Sequence, residues 1–297
     1  MISLNQNYMK IIDGKKIREE ILARIKNEVA SLEFQPVFCD ILVGEDPASA
    51  QYVRMKAKTA ESVGMKFHNA NFPNTITTEE LVKEIQALNK VQDMCGIIAQ
   101  LPLPAHLDKR AVLDAIDPNL DVDCLGNVAS EKFYKGPARN VFSIANAGGE
   151  TTIGFPTALA CMALLDSLDL NLEEKNIVVL GQGELVGRPV SALLKFRGLD
   201  ATPVDIYTEN KEEIIKNADI IISGIGKGMH ITKEKIKEGV VLIDAGTSES
   251  NNAIVGDVDL ESVKGVASYV SPVPGGVGPV TVAMLLNNVL NVAKRLI

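Results

Sequence analysis

The sequence predicts an α/β chain of two domains, each built on a parallel sheet. Short apolar runs alternate with helical patterns from one end of the chain to the other, and such alternation joins parallel strands through right-handed crossovers. The rhythm breaks once, over residues 119–150, where Gly, Asn and Ser gather, and then restarts. The break separates a first domain, residues 1–148, from a second, residues 149–279. A final apolar helical pattern, 280–297, has no strand after it and is expected to pack back on the first domain.

Ile17, Ile21, Ile25, Val29 and Leu32 recur at helical spacing and predict an amphipathic helix over 14–32. The run VFCDILVG predicts a strand at 37–44, followed by a helix over 49–63. A strand at 66–72, a helix at 78–89, a strand at 95–100 (CGIIAQ) and a helix at 107–116 complete the first series. The second series opens with a helix at 156–167 and the strand 177–180 (IVVL). Strands at 202–207, 219–223, 240–244 and 266–270 follow, with helices starting near Pro189, Lys211 and Lys233.

Composition narrows the function. At 297 residues, 46% of them hydrophobic, the chain has enough apolar material for two cores. A net charge of −8 argues against general affinity for nucleic acid or anionic membrane. An anionic ligand therefore needs local positive groups or backbone donors. Cys39, Cys95, Cys124 and Cys161 are scattered without metal spacing, and there are only three histidines, so no metal site is expected. The N-terminal residues show no signal-peptide pattern, and no apolar run approaches membrane-spanning length. The expectation is a cytoplasmic protein with reduced thiols.

Five motifs carry chemistry. Pro272, Pro274, Gly275, Gly276, Gly278 and Pro279 crowd one loop between a strand and a helix. Such a rigid loop, poor in side chains, suits close approach of backbone to a flat ligand, whereas a plain connection needs one or two such residues. The strand 177–180 runs into Gly181-Gln182-Gly183, then Val186-Gly187-Arg188 and a helical pattern. Glycines there let backbone amides face a pyrophosphate at a helix N-terminus. A tight turn with nothing bound looks the same, but the strand before, the helix after and the strands downstream favour a Rossmann-like dinucleotide site. Tyr52 and Lys56 stand four apart on a predicted helix. A lysine beside a phenol and a desolvated wall can serve as acid or base; on a solvated face it does nothing. Gln100 opens Gln-Leu-Pro-Leu-Pro at the carboxyl end of a strand, where such sheets place ligands. Asp121 and Asp123 either bind a ring amine or a metal, or cap a turn.

Taken in order, the Tyr-x-x-x-Lys helix, QLPLP, DVD, the glycine turn and PVPGGVGPVT resemble the methylenetetrahydrofolate dehydrogenase/cyclohydrolase family over nearly the whole chain. The resemblance implies a substrate cleft between the two domains, where hydride passes from 5,10-methylenetetrahydrofolate to NAD or NADP. It also implies hydrolysis of the methenyl product to 10-formyltetrahydrofolate. Lys56 is then the proton relay and Tyr52 orients the substrate. Gln100 hydrogen-bonds Lys56, and Asp123 accepts the pterin N–H donors. Pro272, Gly275 and Gly276 line the substrate side. Gly181, Gln182, Gly183, Val186, Gly187, Arg188 and Gly278 form the cofactor site. The family further implies a homodimer joined through the dinucleotide domains, with tetrahydrofolate derivatives as the other partners.

Residues 124–160 depart furthest from the family pattern: Cys124-Leu-Gly-Asn127 follows DVD, and Phe155-Pro-Thr157 precedes the second domain. A family member that has lost one activity, or a non-catalytic folate- or dinucleotide-binding protein that kept the fold, is the rival they suggest. A shikimate or amino-acid type of dehydrogenase is another, but it leaves QLPLP and PVPGGVGP unexplained. NADP is the family default. Here the predicted strand 202–207 ends in Tyr207-Thr208-Glu209, and the Glu209 carboxylate repels a 2′-phosphate that Thr208, Lys211 or Arg188 could otherwise hold. The expectation is weak discrimination, with NAD accepted at least comparably.

Overall fold

The computed structural model describes residues 9–136, 153–250 and 253–297. They fall into two compact units, one formed by residues 20–136, 153–156 and 282–297, the other by 9–19, 157–250 and 253–281. The chain opens with β1 (Lys10–Ile11), a two-residue strand with no sequence signal, and α1 (Gly14–Val29), whose Ile21, Ile25 and Val29 are buried.

The first unit is built on three parallel strands in the order β3-β2-β4, namely β2 (Val37–Val43), β3 (Lys66–Phe72) and β4 (Met94–Ala99). All of β2 is buried, which accounts for its nearly continuous apolar run. The one exception to that run is Asp40, fully buried in the middle of the strand. Between strands, α2 (Pro47–Ser62) starts on Asp46, whose carboxylate accepts the Ser49 amide at 2.7 Å, with Pro47 in the first turn. A reciprocal Thr77–Glu80 capping box starts α3 (Thr78–Leu88), and Asp108 caps α4 (Lys109–Asp114).

The expected break over 119–150 falls partly on residues 137–152, outside the described ones. Its first part holds a helix the sequence did not announce, α5 (Asn127–Lys135). This helix begins at Gly126 without a side-chain cap, and only Ala129 and Phe133 mark its buried face. The Phe133 ring meets Phe155 edge-on at 5.0 Å.

The C-terminal helix α9 (Val277–Ala293) belongs to this unit from residue 282 onward, as its lack of a following strand suggested. Gly96 on β4 makes room for it: a Cβ there would lie 2.8 Å from Val289 Cγ2 and 3.0 Å from Val122. Buried Asn288 donates to the carbonyls of Val122 at 2.9 Å and Gly154 at 2.6 Å. Glu28 of α1 pairs with Arg24 and with Lys294 beyond α9.

In the second unit, α6 (Pro156–Asp166) leads to a parallel sheet ordered β1-β11-β8-β7-β5-β6. Its strands are β5 (Ile177–Leu180), β6 (Ala201–Val204), β7 (Ile220–Ser223), β8 (Val241–Asp244) and β11 (Tyr269–Val270), with α7 (Gly187–Phe196) and α8 (Lys211–Asn217) between them. From β5 the chain steps out to β6 and back to β7, so the winding reverses at the carboxyl end of β5.

Three local expectations need correction here. The strand expected at 202–207 ends at Val204, because Asp205 Oδ1 accepts from the Tyr207 amide at 2.9 Å and the Thr208 hydroxyl at 3.0 Å and turns the chain. The helix expected from Lys233 is a single 3-10 turn, Lys233–Lys235, since the few residues before Gly239 cannot offset helix nucleation. The strand at 266–270 narrows to the two residues that find β8 and β1. A short hairpin, β9 (Ser248–Ser250) with β10 (Ala253–Val255), was not foreseen; Ser-Glu-Ser offers no apolar alternation.

Candidate active site

Within the first unit, four residues singled out from the sequence come together near the end of β4. Lys56 projects from α2 and is 2% exposed. Its Nζ donates to Gln100 Oε1 at 2.8 Å and stands 4.9 Å from the centre of the Tyr52 ring. Gln100 Nε2 donates to the Leu101 carbonyl at 2.6 Å, so the amide is turned with its oxygen toward the lysine. The QLPLP prolines hold this bend, with a cis bond at Leu101–Pro102.

The sequence reading missed the strongest partner of Lys56. Nζ lies 2.6 Å from Asp40 Oδ2, and no donor other than this ammonium reaches either Asp40 oxygen among the described residues. Burial pushes the Asp40 carboxyl above its ordinary range, opposed by the Lys56 charge. A lone acid inside a buried apolar strand was the available signal.

The two acids of DVD separate cleanly. Asp121 is buried and accepts the amides of Asp123 at 3.2 Å and Gly126 at 2.7 Å, so it shapes the turn. Asp123 is half-buried. Desolvation pushes its carboxyl up to about 7, with Lys56 pulling it down and Asp121 and Asp40 pushing it up. Burial, reinforced by Asp123 and Asp40, likewise pushes the Tyr52 phenol up to about 12. A cavity of about 230 Å³ opens beside this turn, lined by Asp121, Cys124, Lys132, Phe133 and Arg295, but none of the four singled-out residues lines it.

The second unit carries the glycine turn. Gly181 has φ +83°, and a Cβ on Gly187 would overlap the Gly181 carbonyl, so both glycines are needed to close the turn. Gly183 is different: nothing lies within 4 Å of where its Cβ would be. No side chain caps α7 at Val186, the Arg188 amide is taken by the Gly183 carbonyl at 3.2 Å and Pro189 has no N–H, so among its first three residues Gly187 is left to offer an amide to a ligand. Gln182 Nε2 is taken by the Val179 carbonyl at 3.1 Å, and Arg188 is paired loosely with Glu184 at 3.8 Å. These features fit a dinucleotide pyrophosphate at the reversal point of the sheet.

In the same unit, the proline–glycine loop follows β11. The Ser271 hydroxyl accepts the Asp244 amide at 2.7 Å, a Cβ on Gly276 would lie 2.7 Å from the Pro272 carbonyl, and Gly278 faces open space. Asp244 and Asp257, both buried, anchor the neighbouring loops and were also missed. Asp257 accepts from the Ser223 hydroxyl and the amides of Ile225 and Lys227, and Asp244 accepts those of Gly246, Asp257 and Val258. Acids beside glycines, Asp244-Ala-Gly246 and Gly256-Asp257, were the signal.

Comparison with known proteins decides the family. The catalytic domain of tetrahydrofolate dehydrogenase/cyclohydrolase matches residues 12–123, and its NAD(P)-binding domain matches 156–297. The chain belongs to the tetrahydrofolate dehydrogenase/cyclohydrolase family. It is 40% identical over 291 residues to the bifunctional protein FolD of Nitratiruptor sp., covering 97% of this chain and 99% of that one. The structure of the Campylobacter jejuni bifunctional FolD superposes with a TM-score of 0.89 at 34% identity, covering 97% and 100%. FolD of Trypanosoma brucei, solved with NADP and an inhibitor, gives 0.87 at 35%, covering 97% and 98%. The family carries NAD(P)-dependent methylenetetrahydrofolate dehydrogenase and methenyltetrahydrofolate cyclohydrolase activities, and the chain is an enzyme of this kind. Among the described residues, no helix is long and apolar enough to cross a membrane.

Proposed function

We propose that the first unit performs the hydration chemistry through Lys56 and binds the pterin through Asp123. The observation that carries this reading is the burial of Lys56 against Gln100, Asp40 and Tyr52. An amine in that setting takes a proton from water as oxygen adds to the methenyl carbon. As the ammonium it then returns a proton to the ring nitrogen that leaves. Tyr52, a residue 38% exposed, offers its ring for the substrate to rest on. The Asp123 carboxylate accepts two parallel N–H bonds from the pterin.

In the second unit Gly181, Gln182, Gly183, Val186, Gly187 and Arg188 cradle the dinucleotide, which when bound accepts the hydride. Pro272, Gly275, Gly276 and Gly278 supply a narrow backbone wall. Two carboxylates, Asp205 and Glu209, stand exposed beyond β6, and hydrogen bonds from Thr208 and Tyr207 hold Asp205 below the usual carboxylate range. Asp205, next to the true end of β6, is the better placed to accept ribose hydroxyls, so NAD is accepted at least comparably with NADP. The enzyme acts as a cytoplasmic homodimer. Support for the dimer comes from β6, at the sheet edge, followed by Ile206 and Tyr207 at 76% and 84% exposure. Four free, buried cysteines suit a reducing compartment.

A spectrophotometric assay with 5,10-methylenetetrahydrofolate and each dinucleotide, following methenyl formation and then its hydrolysis, tests the reading. Dinucleotide reduction without a methenyl product would overturn it.

A further inference from the structure

Lys56 has two polar partners of different kinds. Gln100 is neutral and fixed by its own bond to Leu101, whereas Asp40 is a carboxylate sealed in the central strand with no other donor among the described residues. A carboxylate so buried is costly unless a positive charge or a proton reaches it, and among the described residues Lys56 is the group in position to supply either.

We propose that Asp40 is a positioning residue for the hydration step, holding Lys56 in place and sharing one proton with it, so that the pair sets the pH range of the hydrolase. In the resting ion pair the proton is on Lys56. Moving it to Asp40 Oδ2 breaks one N–H bond, makes one O–H bond and leaves both groups neutral, which a dry site favours. Lys56 then has the lone pair needed to take a proton from the attacking water. When the water oxygen has bonded to the methenyl carbon, that proton is on Lys56, ready for the departing nitrogen. The second proton returns from Asp40 to Lys56 as the site resets.

Among the described residues, the groups around the pair are these. On α2 there is the Tyr52 phenol, on β2 Cys39, at the end of β4 the uncharged Gln100, and on the turn after α4 Asp121 and Asp123. Burial pushes the Cys39 thiol up to about 12, and Tyr52 is likewise raised, so neither charges near neutrality. Asp123 does titrate in that range and feels both members of the pair. Its contribution has to be separated from theirs by an Asp123→Asn control.

This inference rests on the role given above to Lys56, and the test distinguishes the two. Hydrolase rate is followed against pH for the full chain and for Asp40→Asn, Lys56→Met and Asp123→Asn, with thermal unfolding as the check on fold. In Asp40→Asn the ammonium loses its counter-charge inside a buried site, so the acid limb of the hydrolase profile moves to lower pH by at least about one unit. Asp123→Asn leaves a limb that still shifts when Asp40→Asn is added. An unmoved limb in Asp40→Asn, with hydrolysis lost in Lys56→Met, overturns the proposal for Asp40 and leaves Lys56 as the relay. Hydrolysis retained in Lys56→Met overturns both. If Asp40→Asn does not fold, carbon NMR of the Asp40 carboxyl in the wild type and in Lys56→Met decides. The carboxyl titrates at least about one unit higher without the ammonium, and coincident curves overturn the pairing.

Discussion

Replacing Asp123 with alanine is expected to abolish or greatly weaken folate binding while dinucleotide binding survives, because the residue belongs to the unit that does not hold the glycine turn. The wild-type protein contains a finer version of the same test. Desolvation moves the Asp123 carboxyl from 3.8 to about 7. Only the ionised form accepts two N–H bonds, so at pH 6 roughly a tenth of the protein is competent. The dissociation constant should therefore rise about tenfold, or about 1.4 kcal/mol, for each pH unit below 7. Stability runs the opposite way. A carboxyl with a raised folded-state pKa stabilises the fold below its unfolded value, near 4, and loses that contribution as pH climbs through 7. Asp123→Ala should thus be more stable than the wild type at pH 8, by no more than about 4 kcal/mol, with the advantage shrinking toward pH 4. Calorimetry with an unreactive folate analogue and with each dinucleotide, from pH 5 to 8.5, measures the binding arm. A folate dissociation constant that stays flat across that range would refute the reasoning, and equal loss of both ligands in Asp123→Ala would mean misfolding.

Lys56→Met should cut methenyl hydrolysis by about 10²–10⁴-fold in a single-turnover assay. The same variant leaves Asp40 without its counter-charge, so it should melt closer to the wild type as the pH falls from 8, because acid favours the uncharged carboxyl. Gly187→Ala should destabilise the protein by about 1–3 kcal/mol or more in denaturant titrations, since its Cβ meets backbone. Gly183→Ala, with open space around it, should fold normally and lose dinucleotide affinity, and an unchanged dissociation constant would place the pyrophosphate elsewhere. Asp205→Ser should move initial-rate preference toward NADP by up to about tenfold, and by more than Glu209→Ser does. A wild-type preference for NADP above about a hundredfold would show that another group supplies the phosphate pocket.

Legibility followed range. The β2–α2 segment reads well because burial on both faces and local capping are written in adjacent residues. Tyr52 and Lys56 are neighbours by helical spacing alone, and Gln100 is held by the residues right after it. What escaped depends on distant partners. β1 is a strand only because Tyr269 and Val270 lie beside it. Asp40 looks like a flaw in an apolar run until Lys56, on another element, is placed against it. β6 is shorter than its composition suggests because a local competitor, the Asp205 side chain, offers the backbone a turn instead. In α5 the signal was simply weak, two buried residues after an uncapped glycine.

The bond from Asn288 to the Val122 carbonyl joins positions 166 apart in sequence. Lys56, Gln100 and Asp123 are all made early during synthesis, but the turn that presents Asp123 is pinned by a residue translated much later. At about 5–20 residues per second the nascent first unit waits on the order of ten to thirty seconds for its last helix. Throughout that time the slot over Gly96 that Val289 fills stands open. A protein of this design cannot mature its units one after the other as they leave the ribosome. The second unit is completed at residue 281, and the unit that holds Lys56, Gln100 and Asp123 is finished last.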